Sequence, residues 1–107
     1  MGYEFNIKHN CNEIRKELPE LVNIINTNSF PDFDLIYQGE ENNQFLFNIK
    51  IHSIPEHSRK WDGHLYLDIE NAYLILNSGT KNEVQLVVKS INELLVTNNI
   101  TTLLSEL

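Results

Sequence analysis

The sequence has a single cysteine, Cys11, so no disulfide can form within the chain and a reducing compartment is expected. It has no run of about 20 apolar residues that could cross a bilayer, and its first residues lack the basic start and apolar stretch of a secretory signal. The four glycines stand apart from one another, which excludes a glycine-rich phosphate loop. These absences favour a cytoplasmic location.

Basic residues are also scarce. There are 8 Lys and Arg against 15 Asp and Glu, so the net charge is 8 − 15 = −7 at neutral pH. Such an excess repels the phosphates of nucleic acids and the anionic surface of membranes. It favours a basic protein partner, because opposite potentials speed encounter. Acidity that serves solubility alone is an equally good interpretation.

What the chain does contain is the composition of a globular domain. Apolar residues make up 41% and charged residues 21%, which argues against a disordered segment. No repeat, low-complexity tract or Gly/Ser linker divides the 107 residues. We therefore expect residues 1–107 to form one domain with one hydrophobic core.

The N-terminal third predicts a strand followed by a helix. Apolar residues alternate with polar ones in the predicted strand, at Tyr3, Phe5 and Ile7. Asn10-Cys11-Asn12-Glu13 matches a capping box, and apolar residues then recur at helical spacing from Ile14 to Ile25. Pro19 leaves two possibilities: the helix is kinked there, or it begins near Leu18 with Pro19 in its first turn.

Four strand-like segments and a second helix follow. The residue pair Glu70-Asn71 fits a two-residue hairpin turn, and Thr80 with Glu83 matches a second capping box. The apolar tail from Ile100 to Leu107 is expected to dock on the domain. The order β-α-β-β-β-β-α predicts an α+β fold: a two-layer sandwich whose antiparallel sheet of about four to five strands carries both helices on one face.

The predicted hairpin assigns side chains to the two faces of the sheet. The core face carries three predicted pairs: Ile69 with Ala72, Leu67 with Leu74, and Leu65 with Leu76. The opposite face carries Asp68 with Tyr73, Tyr66 with Ile75, and His64 with Asn77, beside Asn48, Lys50 and His52 of the neighbouring strand. A face rich in tyrosine is typical of protein interfaces. A solvated sheet face is the alternative.

Two groups of side chains could support metal binding or catalysis if they came together in the fold. Zinc could be held by His52, His57, Asp62 and His64, but their spacing matches no compact metal motif, so no metal is expected. His52, His64 and Lys50 could cleave RNA as base, acid and phosphate-binding cation, although the acidic charge opposes that substrate. Cys11 lies near His9 without an orienting third group, so we expect a buried thiol rather than a nucleophile.

Residues 65–79 carry a family resemblance. Leu65 to Ile69, Glu70-Asn71, Ala72 to Leu76 and Asn77-Ser78-Gly79 form a strand, an acidic turn, a second strand and an Asn/Gly break. In this pattern, and in the placement of the helix and tail that follow, the chain resembles the small bacterial immunity proteins, the antitoxins of contact-dependent growth inhibition and related polymorphic toxin systems. The resemblance implies a protein without catalysis or cofactor. Such a protein binds its cognate toxin domain, often a basic nuclease, and blocks the active site or substrate access.

The resemblance transfers no functional residues, so the expected contacts rest on physical grounds. Carboxylates would pair with Arg and Lys of the toxin, and aromatic rings would fill the centre of the interface. Trp61, alone in a polar loop, either packs on the domain edge or anchors the partner. The expected partner-binding residues are Glu56, Trp61, Asp62, Tyr66, Asp68 and Tyr73. The free protein would be a monomer or weak dimer, and a self-associating scaffold subunit is the alternative.

Overall fold

The computed structural model describes residues 2–55 and 61–107. The elements of these described residues are β1 (Tyr3–His9), α1 (Leu18–Thr27), β2 (Phe33–Glu41), β3 (Gln44–Ile51), β4 (Gly63–Leu67), β5 (Asn71–Leu76), α2 (Lys81–Thr97) and β6 (Thr102–Glu106). The predicted order is confirmed as far as α2. The C-terminal tail, expected only to dock, is a further strand.

All six strands form one antiparallel sheet in the order β2-β3-β4-β5-β1-β6. The α+β class and the antiparallel sheet are confirmed, but the predicted four to five strands are too few. The missing strand is β6, in which Leu103 and Leu104 are consecutive. Because its apolar residues do not alternate, the tail lacked the pattern that marks a half-buried strand.

The hydrophobic core lies between the two helices and one face of the sheet. Leu21, Val22 and Ile25 of α1 are buried in one cluster with α2 residues such as Val87 and Ile91. The strand members of that cluster are Phe5, Ile7, Phe33, Phe47, Ile49, Ile51, Leu65, Leu67, Ala72, Leu74 and Leu76. They alternate along their strands, and both described helices pack on this one face, so neither of them covers the opposite face.

The two predicted capping boxes have different outcomes. At α2 the box forms, because the Thr80 hydroxyl accepts a hydrogen bond from Glu83 N at 3.2 Å and the Glu83 carboxylate accepts one from Thr80 N at 2.8 Å. At Asn10 the prediction is wrong, since the Asn10 side chain accepts from Thr101 N instead. Helix α1 begins at Leu18 with a proline in its first turn, which confirms the second of the two possibilities for Pro19.

The predicted register of the β4–β5 hairpin is wrong by two residues. Leu67 pairs with Ala72 and Tyr66 with Tyr73, so the turn residues are Ile69 and Glu70 instead of Glu70 and Asn71. The Asp68 carboxylate fixes this turn by accepting hydrogen bonds from Glu70 N at 2.9 Å and Asn71 N at 2.7 Å. Ile69, expected in the core, is therefore 49% exposed.

The error leaves the two faces of the hairpin unchanged, because a shift by two residues keeps each side chain on its side of the sheet. The predicted open-face pairs of Tyr66 with Ile75 and His64 with Asn77 are replaced by Tyr66 with Tyr73 and His64 with Ile75. Many two-residue hairpin turns have a positive φ angle at both residues. Such a turn connects β2 and β3, where φ is 53° at Asn42 and 63° at Asn43.

Candidate partner-binding site

We call the sheet face that neither described helix covers the open face. Its central side chains come from alternate positions of β1, β3, β4 and β5. They are Glu4, Asn6, Leu46, Asn48, Lys50, His64, Tyr66, Tyr73 and Ile75. Most of them are half-buried by one another rather than by a covering element. A face of this mixed aromatic and polar character resembles a protein interface more than a purely solvated sheet.

A row of aromatic rings crosses the centre of the open face. Tyr66 and Tyr73 lie opposite each other on β4 and β5 with ring centroids 6.2 Å apart, and the His64 ring lies 6.3 Å from that of Tyr66. The Tyr73 hydroxyl donates a hydrogen bond to the Glu4 carboxylate, and this bond raises the pKa of Tyr73. The rings are therefore held in place before any partner arrives, which lowers the entropic cost of binding.

His64 is fixed by its neighbour on β3. Its Nδ1 lies 2.9 Å from Asn48 Oδ1, directly across the β3–β4 ladder. Because the amide oxygen can only accept, Nδ1 is the donor in this hydrogen bond. Asn48 is buried, and the pair therefore satisfies a polar group at the centre of the sheet.

Asp62, predicted to contact a partner, has a structural position. Its side chain is fully buried, one carboxylate oxygen accepts from Ile51 N at 2.8 Å, and the same oxygen lies 3.5 Å from Lys50 Nζ. Its main chain also bonds to Ile49 O and Asn77 N, each at 2.8 Å. A fully buried carboxylate cannot reach a partner in this conformation, so Asp62 does not belong to the binding surface. It joins the start of β4 to β3.

The other predicted site residues are dispersed. Tyr66 and Tyr73 are adjacent on the open face, and Asp68 follows two residues after Tyr66, half-buried at the β4–β5 turn. One Asp68 carboxylate oxygen is already used to hold that turn. Trp61 is half-buried, and Glu56 lies outside the described residues. The structure thus brings together Tyr66, Asp68 and Tyr73 from the predicted set.

A recess that the sequence did not predict lies at the end of the sheet. It has a volume of about 660 Å³ and is formed by the β2–β3 turn, the β4–β5 turn and the first turn of α1. Its charged lining residues are Glu40, Asp68 and Glu70, its amides are Asn42, Asn43, Gln44 and Asn71, and its apolar residues are Leu18, Pro19, Phe45 and Ile69. We call it the acidic recess. Its described lining residues include three carboxylates and no Lys or Arg, so it suits a cationic side chain with an aliphatic stem.

A sequence signal for the acidic recess existed. In an antiparallel meander the first and third turns lie at the same end of the sheet. Glu40 precedes the first of these turns and Asp68 and Glu70 belong to the third, so their proximity follows from the predicted order of strands. In the sequence-based prediction, Asp68 belongs to the partner-binding set and Glu70 to the hairpin turn, and neither is connected with Glu40.

The described side chains that were considered for zinc or for RNA cleavage are engaged in other contacts. His52 donates to Pro31 O at 3.0 Å and its Nε2 lies 3.1 Å from the Asp34 carboxylate, which raises the pKa of His52. His64 bonds to Asn48, and Lys50 pairs with Asp62. Among the described residues no group of three His, Cys, Asp or Glu side chains could hold a metal. His57 lies outside that part of the chain.

Cys11 is buried, as the sequence predicted. Its Sγ lies 3.4 Å from Ile69 O, and burial raises the pKa of the thiol. A raised pKa keeps the thiol protonated at neutral pH and makes it a poor nucleophile.

Comparisons with known proteins add no assignment. No protein-family model, no curated protein and no solved structure matches this chain. In the described part of the chain, neither helix has the length and apolar character required to span a bilayer.

Proposed function

We propose that this chain is an immunity protein that binds a basic toxin domain and blocks its active site or its access to substrate. The observation that carries the proposal is the continuity of an aromatic row with an acidic turn. Tyr66 and Tyr73 lie side by side on the open face, and two residues further along the hairpin come Asp68 and Asn71. Aromatic anchors beside carboxylates are the combination that binds Arg-rich surfaces tightly.

The sign of the charge supports a basic partner. The chain carries a net charge of −7, and Glu40 and Glu70 are exposed at the acidic recess. A cationic side chain entering the acidic recess meets carboxylates without displacing a resident Lys or Arg. The resulting contacts would steer encounter and weaken as salt is added.

A role without catalysis is consistent with the open-face contacts. His64, Lys50 and His52 are bound by three different acceptors, and none of the described contacts joins these three side chains to one another. General acid–base chemistry on RNA would need them to converge on one phosphate. RNA cleavage that disappears in His64→Ala would overturn the proposal in favour of a ribonuclease.

The direct test uses the purified chain with the toxin domain encoded beside it, and measures affinity by calorimetry at low and high salt. The double variant Glu40→Lys with Glu70→Lys should weaken binding by more than tenfold and flatten its salt dependence. Glu93→Lys is the matched control, since Glu93 is exposed on α2 and the charge change per residue is the same. An equal effect of Glu93→Lys, or no complex at any salt concentration, contradicts the proposal.

A second measurement separates binding from neutralisation. The chain should suppress the activity of the toxin domain in the same molar ratio in which it binds. Tyr66→Ala should raise the concentration needed for suppression, whereas Leu86→Ala, at an exposed position of α2, should leave it unchanged. Tight binding without loss of toxin activity would show that the chain is a partner of another kind.

A further inference from the structure

The two edges of the sheet are built differently. At the β2 edge the ladder with β3 is interrupted by an irregularity between Tyr37 and Gly39, and the strand carries Asp34, Glu40 and Glu41. Bulges and charges on an edge strand prevent it from pairing with another chain. The β6 edge has neither a bulge nor a proline nor a lysine, and its single charge is Glu106. The second edge is therefore unprotected.

On the outer side of β6, the main chain has hydrogen-bonding groups that no other described strand pairs with. Leu107 N donates to Glu4 O at 2.9 Å, so Leu107 and Glu4 form a hydrogen-bonded pair between β6 and β1. Bonded and non-bonded pairs alternate along an antiparallel ladder. In the observed register the other bonded residues of β6 are therefore Ser105 and Leu103. In an antiparallel ladder the intervening residues direct both main-chain groups away from the neighbour. Thr102, Leu104 and Glu106 thus present their N–H and C=O groups outward.

Apolar surface accompanies these outward-facing backbone groups. Leu103, Leu104 and Leu107 are exposed, at 66%, 38% and 69% respectively. Beside β6 a groove of about 220 Å³ separates the strand from α2. It is lined by Phe5, Gln85, Val88, Lys89, Leu104 and Glu106.

We propose that two copies of this chain pair through β6, antiparallel about a two-fold axis at Leu104. In this register Leu104 lies opposite the partner's Leu104, and Thr102 lies opposite the partner's Glu106. All three outward-facing residues of each strand are then hydrogen-bonded, and the two six-stranded sheets become one continuous sheet. The contact is isologous, which is the commonest way for identical chains to associate.

Symmetry and charge favour a second copy over a foreign strand. The strand has five residues, Thr102–Glu106, with Leu104 at its centre. An antiparallel second copy centred on Leu104 therefore pairs along the full length of the strand. Glu106 meets a threonine and never its own counterpart. The groove beside β6 carries one lysine and one glutamate, so this patch is locally neutral on a chain of net charge −7. Two copies therefore meet here without a concentration of like charge at the contact, and a basic partner would find no local excess of negative charge.

The dimer does not depend on the proposed function. The acidic recess is formed by α1 and by the turns β2–β3 and β4–β5, and the aromatic row lies on β4 and β5. None of these elements belongs to β6 or α2. A toxin and a second copy could therefore bind at the same time, and either proposal can fail alone.

Sedimentation velocity over a concentration series tests the dimer directly. The chain should move from 12.5 kDa at low concentration to twice that mass as concentration rises. Leu104→Lys should abolish the heavier species, because it places two ammonium groups opposite each other. Leu86→Lys, at a similarly exposed apolar residue of α2 (43%), is the control and should dimerise normally.

A second variant keeps the test decisive if Leu104→Lys fails to fold. Leu104→Cys treated with a short bismaleimide should give a covalent dimer, and Leu86→Cys should not; the native Cys11 is buried. A chain that stays monomeric at all concentrations with no crosslink at position 104 overturns the proposal. So does a monomer whose β6 amides become protected from exchange only when a foreign strand is added.

Discussion

His9 and Asp68 are joined across the end of the sheet by a hydrogen bond of 2.9 Å from the imidazole Nε2 to the Asp68 carbonyl oxygen. The other ring nitrogen, Nδ1, accepts from Cys11 N at 3.4 Å. Both bonds require a neutral ring with its proton on Nε2. Together with the 2.8 Å bond from His9 N to Glu70 O, they attach the acidic turn to β1.

This arrangement predicts how stability depends on pH. Burial lowers the pKa of His9 below its ordinary value of 6.5, so below that pH the unfolded chain binds a proton that the folded chain resists. The stability present above pH 6.5 should therefore be lost as pH falls through the folded-state pKa. In urea titrations between pH 7.5 and 5.5, the wild type should lose more free energy of unfolding than His9→Gln. Parallel pH profiles for the two proteins would contradict the assignment.

His52 supplies a test of opposite sign. Its hydrogen bond to Asp34 raises the pKa of His52, so the contribution of His52 is complete below pH 6.5 and is lost as pH rises through the folded-state value. Replacing His52 by glutamine should therefore steepen the loss of stability on acidification. His52 is an exposed residue, so we expect a smaller change than for His9. If the free energy of unfolding of His52→Gln changed less with pH than that of the wild type, the pair with Asp34 would not form in solution.

Asp62 should matter for folding rather than for binding. Removing its carboxylate leaves Ile51 N without its 2.8 Å acceptor and Lys50 without its partner. We expect Asp62→Ala to cost about 2–4 kcal/mol in the free energy of unfolding, since a buried donor is left unsatisfied. Asp34→Ala, which removes a carboxylate from an exposed pair, should cost less than about 1 kcal/mol. Equal losses in chemical denaturation would refute the structural role.

The two capping-box sequences give a matched pair of variants. Glu83 closes a real box with Thr80, and hydrogen bonds from Ser53 and Thr80 lower the pKa of Glu83. Glu13 occupies the same place in a similar motif but lies in a turn where no box forms. Glu83→Ala should cost about 1 kcal/mol in unfolding free energy, and Glu13→Ala should be nearly neutral. Thermal unfolding of both variants at pH 7 is sufficient to compare them.

Gly63 predicts a steric effect at the start of β4. A Cβ atom added there would lie 2.4 Å from Ile75 O and 3.1 Å from Leu76 Cα, so the two strands would have to separate. Gly63→Ala should destabilise the fold by about 1–3 kcal/mol, as overpacking does. Hydrogen exchange of the amides in β4 and β5 should localise the effect. Unchanged protection in both strands would mean that the close approach is absent.

Much of the fold could be predicted from the sequence because local sequence patterns indicated where its strands and helices lie. Alternation located the core residues of β1, β3, β4 and β5, and the Thr80 box located the start of α2. The register of the β4–β5 hairpin could not be predicted in the same way. A turn at Glu70-Asn71 and a turn at Ile69-Glu70 both leave the strand side chains on the same faces of the sheet. The hydrogen bonds of the Asp68 carboxylate select the second turn. Alternation alone contains no information about that bond.

The candidate site was less predictable than the fold. Tyr66 and Tyr73 were placed on the open face by alternation, but burial of Asp62 depends on tertiary contacts with Ile51 and Lys50. The acidic recess needs two turns and a helix that are distant in sequence. Residues whose role is set by such long-range packing carry no local signature.

The position of β1 has a consequence for how the chain acquires its structure. Residues Tyr3–His9 pair with β5 and β6, whose residues lie between 71 and 106, so β1 is synthesised well before either of the strands with which it pairs. At about 5–20 residues per second, translation alone imposes a delay of several seconds. The local meander from β2 to β5 can assemble during that interval, and β1 then completes the sheet together with β6. Folding should accordingly be slow for a chain of this size, because these late pairings span long stretches of sequence.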